Sequence, residues 1–198
     1  MKIILASTSV YRRELLGRLR LPFEVQAPGV DEQSLAGETP RQLAIRLALE
    51  KAGAVASRHT DALVIGSDQT ASLDGVNVIG KPGSHERARE QLRAASGRTL
   101  TFHSAMCVTH VGQALNESVC VDTRVRFRPL SDSEIEQYLL AEKPYDCAGS
   151  AKSEGLGISL LEAIEGPDPT ALVGLPLIEL ARLLRQVGVV IPAISASA

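Results

Sequence analysis

The 198-residue chain carries 21 basic and 23 acidic residues, and its net charge of −2 argues against a protein that binds nucleic acid regardless of sequence. Hydrophobic residues make up 44% of the chain, which suffices for one core, and we expect that core to be aliphatic because tryptophan is absent and aromatic residues make up only 3%. Three cysteines without CxxC spacing predict reduced thiols rather than a zinc site or a disulfide framework. Since neither a signal peptide nor an apolar run of membrane-spanning length is present, we expect a cytoplasmic protein without a membrane partner.

The first predicted elements are a strand, Lys2–Ala6, and a helix over about Val10–Leu19, with candidate helix caps at positions 7–9. Arg12 and Arg13 fall in the first helical turn, where cations oppose the helix dipole. A bound anion, held by backbone N–H groups, serine hydroxyls and guanidinium groups, would explain two arginines at this place. The alternative is a solvated basic face.

A second strand is expected over Phe23–Ala27, and Glu32 follows in a loop. A capping box at Thr39, with proline at the first helical position, then opens a helix that runs to about Ser57. Lys51 falls inside the apolar stripe of this helix. Its ammonium group either extends past the stripe to solvent or reaches the phosphate site from an apolar surface.

A short apolar run, Ala62–Ile65, predicts a buried strand. We expect Gly66 to end it, so that Ser67, Asp68 and Gln69 emerge at its carboxyl end, where ligands bind in open α/β sheets. An acid at this edge is costly to desolvate unless a metal, a cation or a substrate proton offsets its charge. The alternative is that Asp68 only caps a loop.

The second half of the chain predicts further strands and helices around two polar loops. A hairpin is expected at positions 74–79, and Lys81 follows it between a glycine and a proline. The later elements are expected at about Glu86–Ala95, Thr99–Thr109, Glu117–Arg128, 131–143 (after a capping box), Ile158–Leu161 and Leu177–Val187. The loop 147–157 carries Glu154, and its glycines let a ligand approach the backbone. The apolar tail from position 189 is expected to pack in part and to fray at its end.

Cations and acids thus collect in loops and at the ends of elements. They are Arg12, Arg13, Lys51 and Lys81, together with Glu32, Asp68 and Glu154. The combination suits a polyphosphate with a divalent metal, because carboxylates bind the metal and the cations neutralise the phosphate charge that the metal does not neutralise. The sequence has no P-loop and no GxGxxG motif, and its four histidines show no metal-ligand spacing.

Six ordered motifs, spread over nearly the whole chain, resemble the Maf family of nucleoside triphosphate pyrophosphatases. The motifs are Leu5–Arg13, Val30–Glu32, Ala48–Lys51, Gly66–Gln69, Gly80–Pro82 and Leu172–Pro176. The resemblance implies a single domain over residues 1–198, with an elongated mixed α/β fold like that of inosine triphosphate pyrophosphatases and a cleft between two lobes. It also implies metal-dependent release of pyrophosphate from a nucleoside triphosphate, with Mg²⁺ or Mn²⁺ as the expected cation, and commonly a homodimer.

The resemblance further implies roles for individual residues. Asp68 matches the general base that activates water for attack on the α-phosphorus, although a normal aspartate is a weak base and a role chiefly as a metal ligand is the alternative. Glu32 is the second candidate metal ligand. The expected triphosphate-binding residues are Ser7, Arg12, Arg13, Lys51 and Lys81.

Three positions resemble the branch of the family that acts on 7-methyl-GTP: Tyr11, Gln69 and Glu154. N7-methylation makes guanine cationic, so the face of Tyr11, a position often occupied by tryptophan in that branch, can attract it. Glu154 can accept hydrogen bonds from guanine N–H groups, and Gln69 can offer the base a donor and an acceptor. The alternatives are a dTTP/UTP pyrophosphatase of the same family, or a nucleotide-binding regulator without turnover, since the family name derives from an effect on septum formation.

Overall fold

The computed structural model describes residues 1–192, in which six strands and five α-helices follow one another along the chain. The strands are β1 (Ile3–Ala6), β2 (Glu24–Gln26), β3 (Leu63–Ser72), β4 (Thr99–His110), β5 (Leu115–Phe127) and β6 (Leu161–Glu165). The helices are α1 (Val10–Gly17), α2 (Pro40–Ala56), α3 (His85–Ala95), α4 (Asp132–Glu142) and α5 (Leu177–Gln186). Short 3₁₀ turns cover Val111–Gln113, Ala148–Ser150, Leu156–Leu160 and Ala171–Val173.

All six strands form one sheet in the order β2-β1-β3-β4-β5-β6. The pairs β2–β1 and β1–β3 are parallel, and α1 and α2 provide the crossovers that parallel pairing requires. The pairs β3–β4, β4–β5 and β5–β6 are antiparallel. The predicted fold class, a mixed α/β sheet with flanking helices, is confirmed.

Two apolar clusters cover one face of the sheet. The first joins α1 and α5 to β1, β3 and β4, and the second joins α3 and α4 to β4 and β5. Helix α2 covers the opposite face, where alanines of the helix pack on Ala105 and Cys107. Val189 and Ile191 pack on the first cluster, which agrees with partial packing of the tail, while the residues expected to fray lie outside the described range. Within residues 1–192, no helix is long and apolar enough to cross a membrane.

The third strand does not end at Gly66, contrary to the expectation from the sequence. The strand β3 continues to Ser72, so Asp68 lies within it and pairs with Ala105 of β4. The glycine is required because α2 crosses here: a Cβ at position 66 would lie 2.3 Å from the carbonyl oxygen of Ala48 and 2.5 Å from the amide nitrogen of Ala52. The small residue therefore indicates close helix–strand packing rather than a break in the strand.

The hairpin expected at positions 74–79 and the strand expected at 158–161 also differ in extent from the prediction. Residues 76–79 form a turn in which the Asp74 carboxylate accepts the N–H groups of Val76 and Asn77, and Ile79 alone makes an isolated bridge with Ala71. The strand expected at 158–161 begins only at Leu161, because the chain packs against its own backbone at Gly157 and forms a 3₁₀ turn.

Candidate active site

The candidate site is a cleft of about 770 Å³ beside the part of β3 that extends past β1. The parallel pairing of β1 with β3 ends at Ala6 and Gly66, whereas β3 continues for six more residues. Asp68 thus lies just beyond the carboxyl end of β1, so the expected edge of the sheet is correct although the strand that ends there is a different one. Of the ten predicted site residues, nine line this cleft, and Arg13 is the exception.

A buried lysine with two carboxylates forms the centre of the cleft. The ammonium nitrogen of Lys51 lies 2.6 Å from a carboxylate oxygen of Asp68 and 2.6 Å from one of Glu32. Lys51 is 4% exposed and Asp68 7%, so both charges depend on this pairing for stabilisation. The apolar stripe of α2 therefore directs Lys51 into the site, and not to solvent.

Arg12 and Lys81 surround this pair of acids. Nε of Arg12 donates to the carbonyl oxygen of Gly174 at 3.0 Å, which holds α1 against the loop before α5. Burial lowers the pKa of the Arg12 guanidinium, while the charges of Asp68 and Glu32 oppose that change. Burial also acts to raise the pKa of Glu32, but Lys51, Arg12 and Lys81 outweigh it, and the pKa lies below its usual value. We call these five residues the Lys51 cluster.

The donor set of the Lys51 cluster fits a divalent cation such as Mg²⁺ or Mn²⁺. Such cations prefer oxygen ligands. The carboxylates of Glu32 and Asp68 lie close together, since each has an oxygen 2.6 Å from the Lys51 ammonium nitrogen. Neither a histidine nor a cysteine is among the five residues, which argues against zinc at this place.

A second group of polar residues surrounds the ring of Tyr11. Its hydroxyl donates to Oδ2 of Asp146 at 3.1 Å, and the ammonium nitrogen of Lys152 lies 5.9 Å from the ring centroid. Burial, with the neighbouring Cys147 and Asp146, raises the pKa of the Tyr11 hydroxyl well above its usual value, so it stays a donor. Glu154, on the same loop, is exposed and lines the cleft. We call these five residues the Tyr11 cluster.

The sequence matches a family model described as Maf-like protein over residues 2–187. The chain belongs to this family. A 7-methyl-GTP pyrophosphatase from Cupriavidus pinatubonensis is 60% identical to it over 187 residues, 94% of each chain. One from Xanthomonas axonopodis pv. citri is 60% identical over 191 residues, 96% of this chain and 99% of the relative. Among solved structures, a HAM1 protein from Coxiella burnetii has the same fold, with a TM-score of 0.51 and 14% identity over 94% of this chain and 99% of that chain.

Gln69 of the Maf-like chain holds a loop as well as lining the cleft. Its Nε2 donates to the hydroxyl of Ser104 at 2.8 Å and to the carbonyl oxygens of Ala171 and Leu172 at 3.0 and 2.9 Å. Ser67 supports the same loop, since its hydroxyl contacts the carbonyl oxygen of Gly174 at 3.0 Å. With these three bonds in place, the amide offers a ligand its oxygen as an acceptor and has no donor to spare.

The helix geometry of α1 separates two predicted phosphate ligands of the Maf-like protein. Neighbouring residues in a helix point about 100° apart, so Arg12 faces the cleft while Arg13 is exposed and lies outside its lining. Ser7 is buried at the end of β1 and its hydroxyl accepts the N–H of Ser9, which caps α1. Arg13 therefore lies on a solvated face, whereas Arg12 faces the cleft, where its role as an anion ligand stays a prediction.

Two features of the structure have no signal in the sequence. Asp146 stands 135 positions from Tyr11, and no motif around it signals that the two meet. Outside the cleft, His103, Cys120 and Asp122 bring ligand atoms within 4.8 Å of one another, although their spacing suggested no metal site. Asp122 already pairs with His103 at 2.8 Å and Arg41 at 3.6 Å, and burial raises the pKa of Cys120 to about 11. Through the pair of Arg41 with Asp122, this group connects α2 with β5.

Proposed function

We propose that this Maf-like protein is a nucleoside triphosphate pyrophosphatase that hydrolyses 7-methyl-GTP to 7-methyl-GMP and pyrophosphate, and so removes a modified nucleotide from the pool. The observation that carries the proposal is one cleft with two chemically different clusters. The Lys51 cluster suits an anionic triphosphate with a metal, and the Tyr11 cluster suits a cationic base. The names of relatives that are 60% identical over nearly the full chain support the same reaction and substrate.

The charges of the Lys51 cluster define what it does to the triphosphate. Arg12, Lys51 and Lys81 neutralise phosphate oxygens and the charge that develops in the transition state. The carboxylates of Glu32 and Asp68 would hold Mg²⁺ or Mn²⁺, which would supply Lewis-acid activation of the phosphate group and lower the pKa of bound water. Ser7 adds a hydroxyl at the end of β1, where it lines the cleft.

We assign the proton-transfer step to Asp68, which lines the cleft. A water oxygen attacks the α-phosphorus, the bond from that phosphorus to the bridging oxygen breaks, and pyrophosphate leaves with the electron pair. The water proton passes to the Asp68 carboxylate, whose second role is metal binding. The ammonium nitrogen of Lys51 lies 2.6 Å from the Asp68 carboxylate and holds it in position in the cleft.

The Tyr11 cluster provides the preference for the base. The Tyr11 ring offers an electron-rich face to a methylated, positively charged guanine, an attraction of about 1–2 kcal/mol when desolvated. Glu154 accepts hydrogen bonds from the guanine N–H groups, and the free oxygen of Gln69 adds an acceptor. A neutral pyrimidine offers no positive charge for this ring and this carboxylate.

The proposal includes a homodimer and a cytoplasmic location. The homodimer follows from the family resemblance, and light scattering of the purified protein at several concentrations measures it. The location rests on cysteine chemistry: Cys107, Cys120 and Cys147 are all free thiols, as expected in a reducing compartment.

The decisive experiment measures pyrophosphate release from 7-methyl-GTP, GTP, dTTP and UTP with Mg²⁺ or Mn²⁺, with an Asp68→Asn variant as the blank and a metal-free reaction with chelator as the cofactor control. We expect 7-methyl-GTP to have the highest kcat/KM and chelator to abolish turnover. A preference for dTTP or UTP would contradict the assigned base while preserving the reaction. Tight binding without turnover would instead indicate a regulatory module.

A further inference from the structure

We propose that Asp146 is a further specificity-determining residue, which favours a positively charged base over a neutral one through the ring of Tyr11 and through its own charge. The inference rests on the proposed function, because it concerns the base that the Tyr11 cluster receives. It goes beyond the family resemblance, which assigns base recognition to Tyr11, Gln69 and Glu154 alone.

The first support is the contact between Asp146 and Tyr11. Oδ2 of Asp146 accepts the Tyr11 hydroxyl at 3.1 Å, across 135 positions of sequence. A phenol that donates to a carboxylate becomes more electron-rich, and its ring face attracts a cation more strongly. The bond also fixes the tilt of the ring, since the tyrosine then has an anchor at its backbone and another at its hydroxyl.

The second support is a cation that the ring already attracts. The Lys152 ammonium nitrogen lies 5.9 Å from the Tyr11 ring centroid, within the range of a cation–π contact. Its salt-bridge partner is Glu142, at 3.3 Å. The ring of Tyr11 therefore has a cation over it in the protein alone, as expected for a ring whose hydroxyl is bonded to an anion.

The third support is that the Asp146 carboxylate makes no contact of the kind that stabilises this fold in the described part of the chain. It is exposed, and in the described part of the chain its carboxylate contacts only the Tyr11 hydroxyl and the thiol of Cys147, at 3.1 and 3.5 Å. Carboxylates that stabilise this fold have cationic or backbone N–H partners, as Asp168 has in the N–H groups of Thr170 and Ile178. Asp146 lines the cleft, and within residues 1–192 no lysine or arginine forms a salt bridge with it.

The test compares kcat/KM for 7-methyl-GTP with kcat/KM for GTP, which differ in the positive charge on the base. Asp146→Asn keeps an acceptor for the Tyr11 hydroxyl and removes the charge. We expect the 7-methyl-GTP to GTP ratio to fall about two- to fivefold, the range for a cation–π contribution at an exposed site, and Asp146→Glu to restore part of it. Asp61→Asn, at an exposed acid outside the cleft, is the matched control and leaves the ratio unchanged.

A variant of opposite sign separates charge from disturbance of the loop. Lys152→Gln removes a positive charge beside the same ring, so we expect it to raise the ratio that Asp146→Asn lowers. Equal losses on both nucleotides in Asp146→Asn, or a fall of the ratio in both variants, would overturn the inference while leaving the proposed function in place. A wild-type protein that hydrolyses both nucleotides equally well would overturn the proposed base itself.

Discussion

The two clusters of the cleft are built from different parts of the fold. The Lys51 cluster places its central charges on α2 and β3, where Lys51 and Asp68 are almost fully buried. The Tyr11 cluster draws its acids from the loop after α4, where Asp146 and Glu154 are exposed. Charges on packed elements are held in fixed positions but are costly to leave unpaired, whereas charges on an exposed loop are screened and replaceable. If the proposed function is correct, we expect the reaction to depend on the scaffold and the preference for the base to depend on the loop.

The strongest test of this comparison is Asp68→Asn. The amide has the same shape, but it neither accepts the proton of the attacking water nor binds a cation with a full charge. We expect kcat to fall about 10²- to 10⁴-fold on every nucleotide, measured as pyrophosphate release. A variant that kept full activity would remove both proposed roles of Asp68. Circular dichroism of the variant checks that the fold is retained.

Lys51→Met tests whether the buried pairing also supports the fold. Methionine fills the space of the lysine stem but leaves Asp68 buried without its cation, and breaking a buried pair in this way costs about 3–5 kcal/mol. Urea denaturation measures the change in the free energy of unfolding. The double variant Lys51→Met/Asp68→Asn removes both charges and should recover most of the lost stability without regaining activity. A double variant as unstable as the single one would show that packing, not charge, explains the loss.

Gly66→Ala tests the contact that sets the distance between α2 and β3. The new methyl group would meet the backbone of α2 at 2.3 Å, so the helix must move away, and overpacking of this kind costs about 1–3 kcal/mol. The shift also separates Lys51 from Asp68, which should lower kcat. The control is Gly53→Ala on the exposed side of α2, where no atom lies within 4 Å and stability should rise by about 0.5–1 kcal/mol. Thermal unfolding of both variants gives the comparison.

The smallest expected effect comes from the loop. Glu154→Gln keeps the size of the side chain and removes a screened, exposed charge worth about 1 kcal/mol, so 7-methyl-GTP turnover should fall about fivefold relative to GTP. The melting temperature should stay at the wild-type value. Glu14→Gln, an exposed acid on α1 outside the cleft, is the matched control. An equal loss of activity on all nucleotides would place Glu154 with the Lys51 cluster.

Local sequence signals predicted the helices well because they act within a few residues. The capping boxes at Thr39 and Ser131 are both formed, with the side-chain and backbone bonds that the pattern requires. Ser84 caps α3, and Val121, Val125 and Phe127 of β5 are buried at alternating positions. These features depend on periodicity and on hydrogen bonds close in sequence, which the order of residues specifies directly.

Features that depend on distant packing partners were not predicted from the sequence. Gly66 suggested the end of a strand, but a glycine that relieves a turn and a glycine that admits a helix look alike in sequence. The role of Gln69 toward the base stays a prediction, but its amide nitrogen also contacts Ser104 and the carbonyl oxygens of Ala171 and Leu172, at least 35 positions away, and no sequence motif predicts these contacts. In both cases the deciding neighbour is distant along the chain.

The sequence by itself determined the helices, the mixed α/β class and, through six ordered motifs, the family and nine of the residues that line the cleft. The tertiary structure decided how those residues meet. It buried Lys51 against two acids, turned Arg13 away from Arg12, and brought Asp146 to the Tyr11 hydroxyl. The physical reason is that propensities and caps are local, whereas the energy of a buried charge or a cross-loop hydrogen bond depends on groups that only the folded chain places side by side.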